Sequence, residues 1–106
     1  MTAPEPVRSG DSVTIDKDMS ISHRDFFRVL PGALATGDYR IDGDRVVAEE
    51  GDCRRLEITL SPEERREVPD LSLPKTQVRL TFIGFTEAEM KDRLALFERS
   101  FQRGGG

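Results

Sequence analysis

Cysteine, histidine and tryptophan are scarce in this chain of 106 residues, which contains one cysteine, one histidine and no tryptophan. A single cysteine, Cys53, excludes an internal disulfide, a CxxC redox pair and a zinc site built from several thiolates. We interpret Cys53 as a residue beside a turn, and His23 as a partly exposed residue in the first turn of a helix. No nucleophile motif lies near His23, so we assign no catalytic residue, no metal ligand and no cofactor.

Long apolar runs and glycine-rich phosphate loops are also missing. No stretch reaches the roughly 18 apolar residues of a membrane span. The N-terminal sequence MTAPEPVRSG lacks the apolar core of a secretory signal. The patterns GxGxxG and GxxxxGKS/T do not occur. Together with the lone cysteine, these absences predict a cytoplasmic protein without a membrane partner.

Positive charge is in the minority, with 16 Lys and Arg against 20 Asp and Glu and a formal net charge of −4. An acidic chain is poorly suited to displace the counterions of a nucleic acid, so we expect no nucleic-acid partner. Hydrophobic residues make up 36% of the chain, which is enough for a folded core when their spacing is regular.

The length of the chain fits one domain. Met1 to Gly10 contains two prolines and no apolar periodicity, which predicts a flexible N-terminal arm. We place a single α+β domain at residues 11–103 and a flexible glycine tail at residues 104–106.

The domain begins with a strand and a helix. Val13 and Ile15 alternate with polar residues, which is typical of a strand. Ser22 as N-cap, with Asp25 three residues later, predicts a helix start. Pro31 limits this helix, because proline disfavours the helical conformation of the residue before it.

Two turn signals then predict a three-stranded antiparallel meander with one apolar face. A two-residue loop at Gly43–Asp44 pairs Ile41 with Val46. A second turn at Glu50–Asp52, read as a three-residue loop, places Val46 opposite Leu56.

The next segment is rich in proline. Ser61–Glu64 fits an N-cap, a proline and a glutamate of a short helical turn. Pro69 and Pro74 favour extended chain, and the alternation in TQVRLTFIGF predicts a strand from Thr76.

The last segment carries the strongest helix pattern. Thr86 and Glu89 match a capping box, and Gly104 stands where a glycine cap ends a helix. Apolar residues recur at spacings of four, three and four, which predicts one stripe on an amphipathic helix. The stripe consists of Met90, Leu94, Phe97 and Phe101.

The predicted order is therefore β-α-β-β-β-β-α. Such an order favours an α+β fold in which an antiparallel sheet of four to five strands carries two helices on one face. This order of elements resembles the TATA-binding-protein-like architecture and a shortened helix-grip domain. The resemblance lies in the element order alone, and it implies no activity.

Two groups of residues are candidate binding sites. A candidate apolar groove between sheet and last helix is lined by Phe82, Met90, Leu94, Phe97 and Phe101. A candidate anion contact is formed by Arg54 and Arg55, with the mixed-charge run ERRE at residues 64–67 nearby. The acids of the two turns, which we interpret as solvated, are Asp42, Asp44, Glu49, Glu50 and Asp52.

Three hypotheses of function follow. The first is a non-catalytic accessory or adaptor module that binds another protein, or a second copy in a homodimer, through a sheet edge or the apolar helix seam. The second is a small apolar ligand bound in the groove. The third is a carrier whose C-terminal carboxylate, at Gly106, is activated; the helix that precedes the glycines argues against it.

Overall fold

The computed structural model describes residues 7–9, 12–69 and 71–104 of the chain. Seven strands and two helices follow one another in these ranges. They are β1 (Val7–Ser9), β2 (Ser12–Met19), α1 (His23–Ala33), β3 (Tyr39–Asp42), β4 (Arg45–Glu50), β5 (Arg54–Leu60), β6 (Glu64–Val68), β7 (Leu71–Ile83) and α2 (Glu87–Gly104).

The strands form one antiparallel sheet with the order β1-β2-β7-β5-β4-β3, and β6 pairs with β7 outside this path. The predicted α+β fold is confirmed, with more strands than the four to five expected from the sequence. The additional strands are β1 and β6, which lie in segments that we expected to be a flexible arm and a helical turn. The resemblance in element order to TATA-binding-protein-like and helix-grip domains stays a prediction.

Strand β7 is the centre of the sheet. From Thr76 to Ile83 it pairs with β2, and from Val78 to Ile83 it also pairs with β5 on its other side. Its first five residues, Leu71–Lys75, pair with β6 alone. We call this two-stranded extension, Glu64–Val68 with Leu71–Lys75, the β6–β7 ribbon.

Strand β6 continues β5 along the same side of β7 after a bulge. The backbone N–H of Ser61 donates to the carbonyl of Gln77 at 2.9 Å, and the next pair is Glu64 with Lys75. Pro62–Glu63 therefore oppose a single residue of β7, which defines a β-bulge.

The predicted helical turn at Ser61–Glu64 is wrong. The Ser61 hydroxyl accepts the backbone N–H of Gln77 at 2.9 Å across the sheet instead of capping a helix. Pro62 lies in the bulge, where the ladder needs no backbone donor. Pairing with β7 thus decides the conformation of a segment whose local pattern also fits a helix start.

Both helices pack on one face of the sheet. Because strand residues alternate between faces, every second residue of the central strands turns toward the helices. The buried residues of that sheet face are Val13, Ile15, Val46, Ala48, Leu56, Ile58, Leu60, Val78, Leu80 and Phe82. The helices contribute Phe26, Leu30, Ala33, Met90, Phe97 and Phe101 to the same core.

The two helices begin as predicted. The Ser22 hydroxyl accepts the Asp25 N–H at 3.1 Å, and Thr86 and Glu89 exchange the two bonds of a capping box. Helix α1, however, continues through Pro31 to Ala33. Near a C-terminus the missing N–H costs one bond only, and the burial of the last turn outweighs it.

The two hairpins differ in how well the sequence predicted them. The pairing of Ile41 with Val46 is confirmed. The second loop consists of Gly51–Cys53, one residue later than expected, so the pairing of Val46 with Leu56 is wrong and Val46 lies opposite Ile58.

The structure describes only part of the predicted N-terminal arm and of the predicted glycine tail. Val7–Ser9, within the expected N-terminal arm, forms β1, and Gly104 is the last residue of α2. Residues 1–6, 10, 11, 70, 105 and 106 lie outside the described residues. The flexible arm, the flexible tail and the domain limits stay predictions.

Gly84, directly after β7, lies against the loop between β4 and β5. Its φ is 79°, and a Cβ built there would lie 2.0 Å from the carbonyl oxygen of Cys53. Gly43 also has a positive φ, 60°, but no atom lies within 4 Å of its Cβ position. A side chain at Gly43 therefore introduces backbone strain alone, whereas a side chain at Gly84 introduces both backbone strain and a steric clash.

We expect Gly43→Ala to lower the free energy of unfolding by about 1–2 kcal/mol, the cost of a left-handed side-chain residue. Gly84→Ala should cost clearly more, because the loop backbone at Cys53 must also move. Urea unfolding of both variants measures the difference. Equal losses of unfolding free energy in the two variants would show that the loop backbone at Cys53 moves without a free-energy cost.

Candidate functional site

The five residues of the candidate groove lie together, but within the core. Phe82 and Phe97 are 2% exposed, Met90 5% and Phe101 8%, and Leu94 is partly buried against them. Their neighbours are side chains of this protein, so they pack as core residues. This packing supplies no observation in favour of a bound apolar ligand.

Aromatic rings fill the space between the helices and the sheet. The Phe97 and Phe101 centroids are 4.6 Å apart, and Phe101 stacks on Phe26 of α1 at 5.0 Å. Phe82 of β7 meets Phe85 edge to face at 5.3 Å. These separations are those of directly packed aromatic pairs.

The two arginines of the candidate anion contact each face carboxylates of the protein. Arg54 donates to Glu89 of α2 and lies over the Phe85 ring at 6.0 Å. Arg55 lies 3.7 Å from Glu57 and 4.0 Å from Glu49. An incoming anion would therefore compete with carboxylates already in place, and the anion contact stays a prediction.

A second ion pair fastens α2 to the end of the β4–β5 hairpin. The guanidinium of Arg93 donates to both oxygens of Glu50, from Nε at 3.0 and 2.8 Å and from Nη2 at 2.6 Å. The Glu50 side chain is 10% exposed and that of Arg93 20%. These hydrogen bonds raise the pKa of Arg93 above its ordinary value.

The acidic residues of the two turns do not form one cluster. Asp42 and Asp44 stand at one end of β4, whereas Glu50 and Asp52 stand at its other end. Within the described residues no group of three or more possible metal ligands is found.

His23 connects α1 to the bulge between β5 and β6. Its Nε2 lies 2.7 Å from the carbonyl oxygen of Ser61, and its backbone N–H donates to Glu63 at 2.8 Å. Its Nδ1 lies 3.7 Å from a carboxylate oxygen of Asp44. Its hydrogen-bonding partner at Ser61 is a backbone carbonyl, so the arrangement is not a nucleophilic triad. Cys53 is exposed, in the loop after β4.

The sheet face opposite the helices carries rows of ion pairs. Arg79 donates to Asp16 at 2.8 Å, and Arg45 to Glu57 at 2.8 Å, in each case between strands. The hydrogen bond from Arg79 lowers the pKa of Asp16. This face therefore shows the charged surface of a sheet layer that faces water.

Two large hydrophobic side chains are exposed among the described residues, and both lie at the margins of the sheet. Ile41 of β3 is 50% exposed, and Leu71 in the β6–β7 ribbon is 55% exposed. β3 is the last strand of the sheet path, and the ribbon extends beyond β2 and β5. The candidate functional surfaces are therefore the β3 edge and the β6–β7 ribbon.

The sequence patterns identify neither surface. The turn pattern predicts Ile41 only as a hairpin residue, because its exposure depends on the sheet ending at β3. Leu71 lies between two prolines in a segment expected to be extended. The sequence contains no clear sign that ERRE pairs as a strand with the residues around Leu73, and this pairing is what forms the ribbon.

No protein-family model, no curated protein and no solved structure matches this chain. No helix within residues 12–69 and 71–104 is long and apolar enough to cross a membrane. A functional proposal therefore depends on the surface geometry of the chain itself.

Glu50→Gln should lower the free energy of unfolding by about 1–3 kcal/mol, because Arg93 keeps its charge in a partly buried position with a weaker acceptor. Glu87→Gln, in helix α2 with Arg93, is the matched control for the loss of one carboxylate. It removes an exposed pair with Lys91 at 3.6 Å and should cost less than about 0.5 kcal/mol. Urea unfolding at neutral pH compares them, and equal effects would contradict a structural role for the Glu50–Arg93 pair.

Stability should fall on acidification below about pH 4.5. The pKa of Glu89 is lowered from 4.5, first by the hydrogen bond from the Thr86 backbone, and that of Asp16 is lowered from 3.8. A lowered carboxyl pKa stabilises the folded state above the unfolded pKa, and this contribution is lost as pH falls through the folded pKa. We measure the free energy of unfolding in urea from pH 7 to 2.5. In the double variant Asp16→Asn/Glu89→Gln it should fall less steeply at acidic pH than in the wild type. An unchanged pH dependence would rule out these two carboxyls as its source.

Proposed function

We propose that this protein is a non-catalytic interaction module that docks onto a different protein through the β6–β7 ribbon. The observation that carries the proposal is the half-exposed Leu71 on a two-stranded extension that none of the other described strands covers. Burying the exposed half of this side chain against a partner would contribute about 1–1.5 kcal/mol.

The ribbon has little support from the rest of the chain. Arg66 lies 3.4 Å and Lys75 3.7 Å from the same carboxylate oxygen of Asp18. The β6 residues 64–67 are exposed on both faces of the ribbon. Because an isolated two-stranded hairpin is marginally stable in water, a partner that packs on the ribbon would stabilise it.

The two edges of the ribbon differ in what they offer a partner. The Gln77 carbonyl accepts the Ser61 N–H, so the backbone groups of the odd-numbered residues of β7 point toward β6. Because these groups alternate along a strand, the nitrogen of Pro74 faces the opposite edge. That edge lacks a donor at Pro74, which makes it a poor template for a further strand. The open edge of β6 is therefore the better place for an extended segment of a partner to pair.

Charge opposes the pairing of β6 with its own copy. Two antiparallel edge strands related by a two-fold axis must place one residue opposite itself. If that residue is any member of Glu64–Glu67, identical charges meet, which is destabilising. A partner with a different sequence avoids this repulsion, which favours a heterologous complex over a ribbon-to-ribbon dimer.

The test compares Leu71→Asp with Ser72→Asp as immobilised baits in native lysate, followed by binding measurements with the purified partner. The two residues are adjacent and exposed, and they lie on opposite faces of the ribbon. We expect Leu71→Asp to weaken binding at least tenfold, since a charge replaces a buried apolar contact. Ser72→Asp should have a smaller effect, limited to the loss of the Ser72–Glu67 hydrogen bond at 3.0 Å and the repulsion between the new carboxylate and Glu67.

Thermal unfolding of both variants serves as the folding control. Equal affinity of the wild type and Leu71→Asp for the purified partner would contradict docking through this face. Equal losses in the two variants at unchanged stability would also contradict it, because they would indicate a general effect of negative charge.

A further inference from the structure

Among the described residues, no strand pairs with the outer side of β3, so its backbone groups there can accept another strand. The Asp38 carbonyl accepts the Glu49 N–H at 2.9 Å, and Arg40 and Asp42 follow at alternate positions of the same ladder. In an antiparallel ladder the intervening residues, Tyr39 and Ile41, turn their N–H and C=O groups away from β4. The edge therefore presents donors and acceptors at Ile41, beside an exposed apolar side chain.

The charges of this edge are also without partners. Arg40 and Asp42 are exposed on the face opposite the helices, and within the described chain neither takes part in an ion pair. Their neighbours across the sheet are paired, as in Arg45 with Glu57. A depression of about 340 Å³ next to them is lined by Arg40, Ile41, Asp42, Arg45 and Val47.

We propose that a second copy of this chain pairs with the β3 edge, antiparallel, about a two-fold axis at Ile41. The axis stands perpendicular to the sheet, so each face of one copy continues into the same face of the other. The two sheet paths, six strands each, then join into one continuous sheet.

Sequence complementarity carries this proposal. With Ile41 opposite its own copy, each Ile41 N–H donates to the Ile41 carbonyl of the other copy, and the two side chains meet on the helix-covered side. Arg40 then lies opposite Asp42 of the second copy, and this pair occurs twice by symmetry. Directly opposite charges on one face of an antiparallel pair stabilise it.

The neighbouring two-fold register is less favourable. An axis at Arg40 places the two Arg40 side chains opposite each other on the same face, where like charges are destabilising. It also places Asp42 opposite Asp38 of the second copy. The charge pattern therefore excludes Arg40 as the centre.

An axis at Tyr39 would again pair opposite charges, Arg40 with Asp38. It would, however, leave the exposed Ile41 opposite Gly37. Contact between the two Ile41 side chains therefore favours Ile41 as the centre.

The interface is small. A four-residue edge with two central hydrogen bonds falls at the low end of specific interfaces, so we expect a Kd on the order of 10–1000 µM. The β3 edge and the β6–β7 ribbon are separate surfaces. Dimer formation does not depend on the proposed docking function.

A charge-swap series tests the register, with sedimentation equilibrium as the measurement. Arg40→Asp and Asp42→Arg should each weaken self-association about tenfold, since each converts two attractive pairs into repulsive ones. The double variant R40D/D42R should recover the wild-type Kd. An equimolar mixture of the two single variants should associate more tightly than either alone.

Leu71→Asp is the control and should leave the dimer Kd unchanged, while circular dichroism confirms that every variant is folded. A wild type that stays monomeric at 1 mM would overturn the proposal. So would a double variant that does not recover. An Asp42→Arg variant that associates more tightly would also overturn it, because in the register centred on Arg40 this change makes both Asp42–Asp38 pairs attractive.

Discussion

Pairing on both sides of β7 is the interaction on which the rest of the structure depends. Strand β2, from the beginning of the chain, lies on one side and β5, from its middle, on the other. This arrangement buries Val78 and Leu80 almost completely and gives α1 and α2 one apolar surface to cover. Since β7 is longer than both neighbours, its surplus residues produce the β6–β7 ribbon.

Signals between neighbours in sequence were readable. The cap at Ser22, the capping box at Thr86 and the hairpin at Gly43–Asp44 each depend on residues three or fewer apart, and each was predicted correctly. The misplaced second loop depends on a distant contact. Glu50 stays in β4, where its carboxylate reaches Arg93, which no local pattern of the turn reveals.

Long-range pairing also explains why the candidate surfaces were not predicted. Pro62 fits the first turn of a helix or a bulge equally well, and only the ladder with β7 decides between them. The apolar residues proposed to line a groove follow a helical spacing that is common to core and pocket. Ile41 and Leu71 differ from the core residues in their exposure to solvent, and this exposure depends on where the sheet ends.

The bulge at Pro62–Glu63 has a mechanical consequence. Ser61 and Glu63, on either side of Pro62, both contact His23, the first residue of α1. Any force that tilts the ribbon relative to the sheet therefore acts directly on the first turn of that helix. A partner bound to the ribbon would therefore change the position of Ser61 and Glu63 relative to His23, and with it the geometry of the first turn of α1.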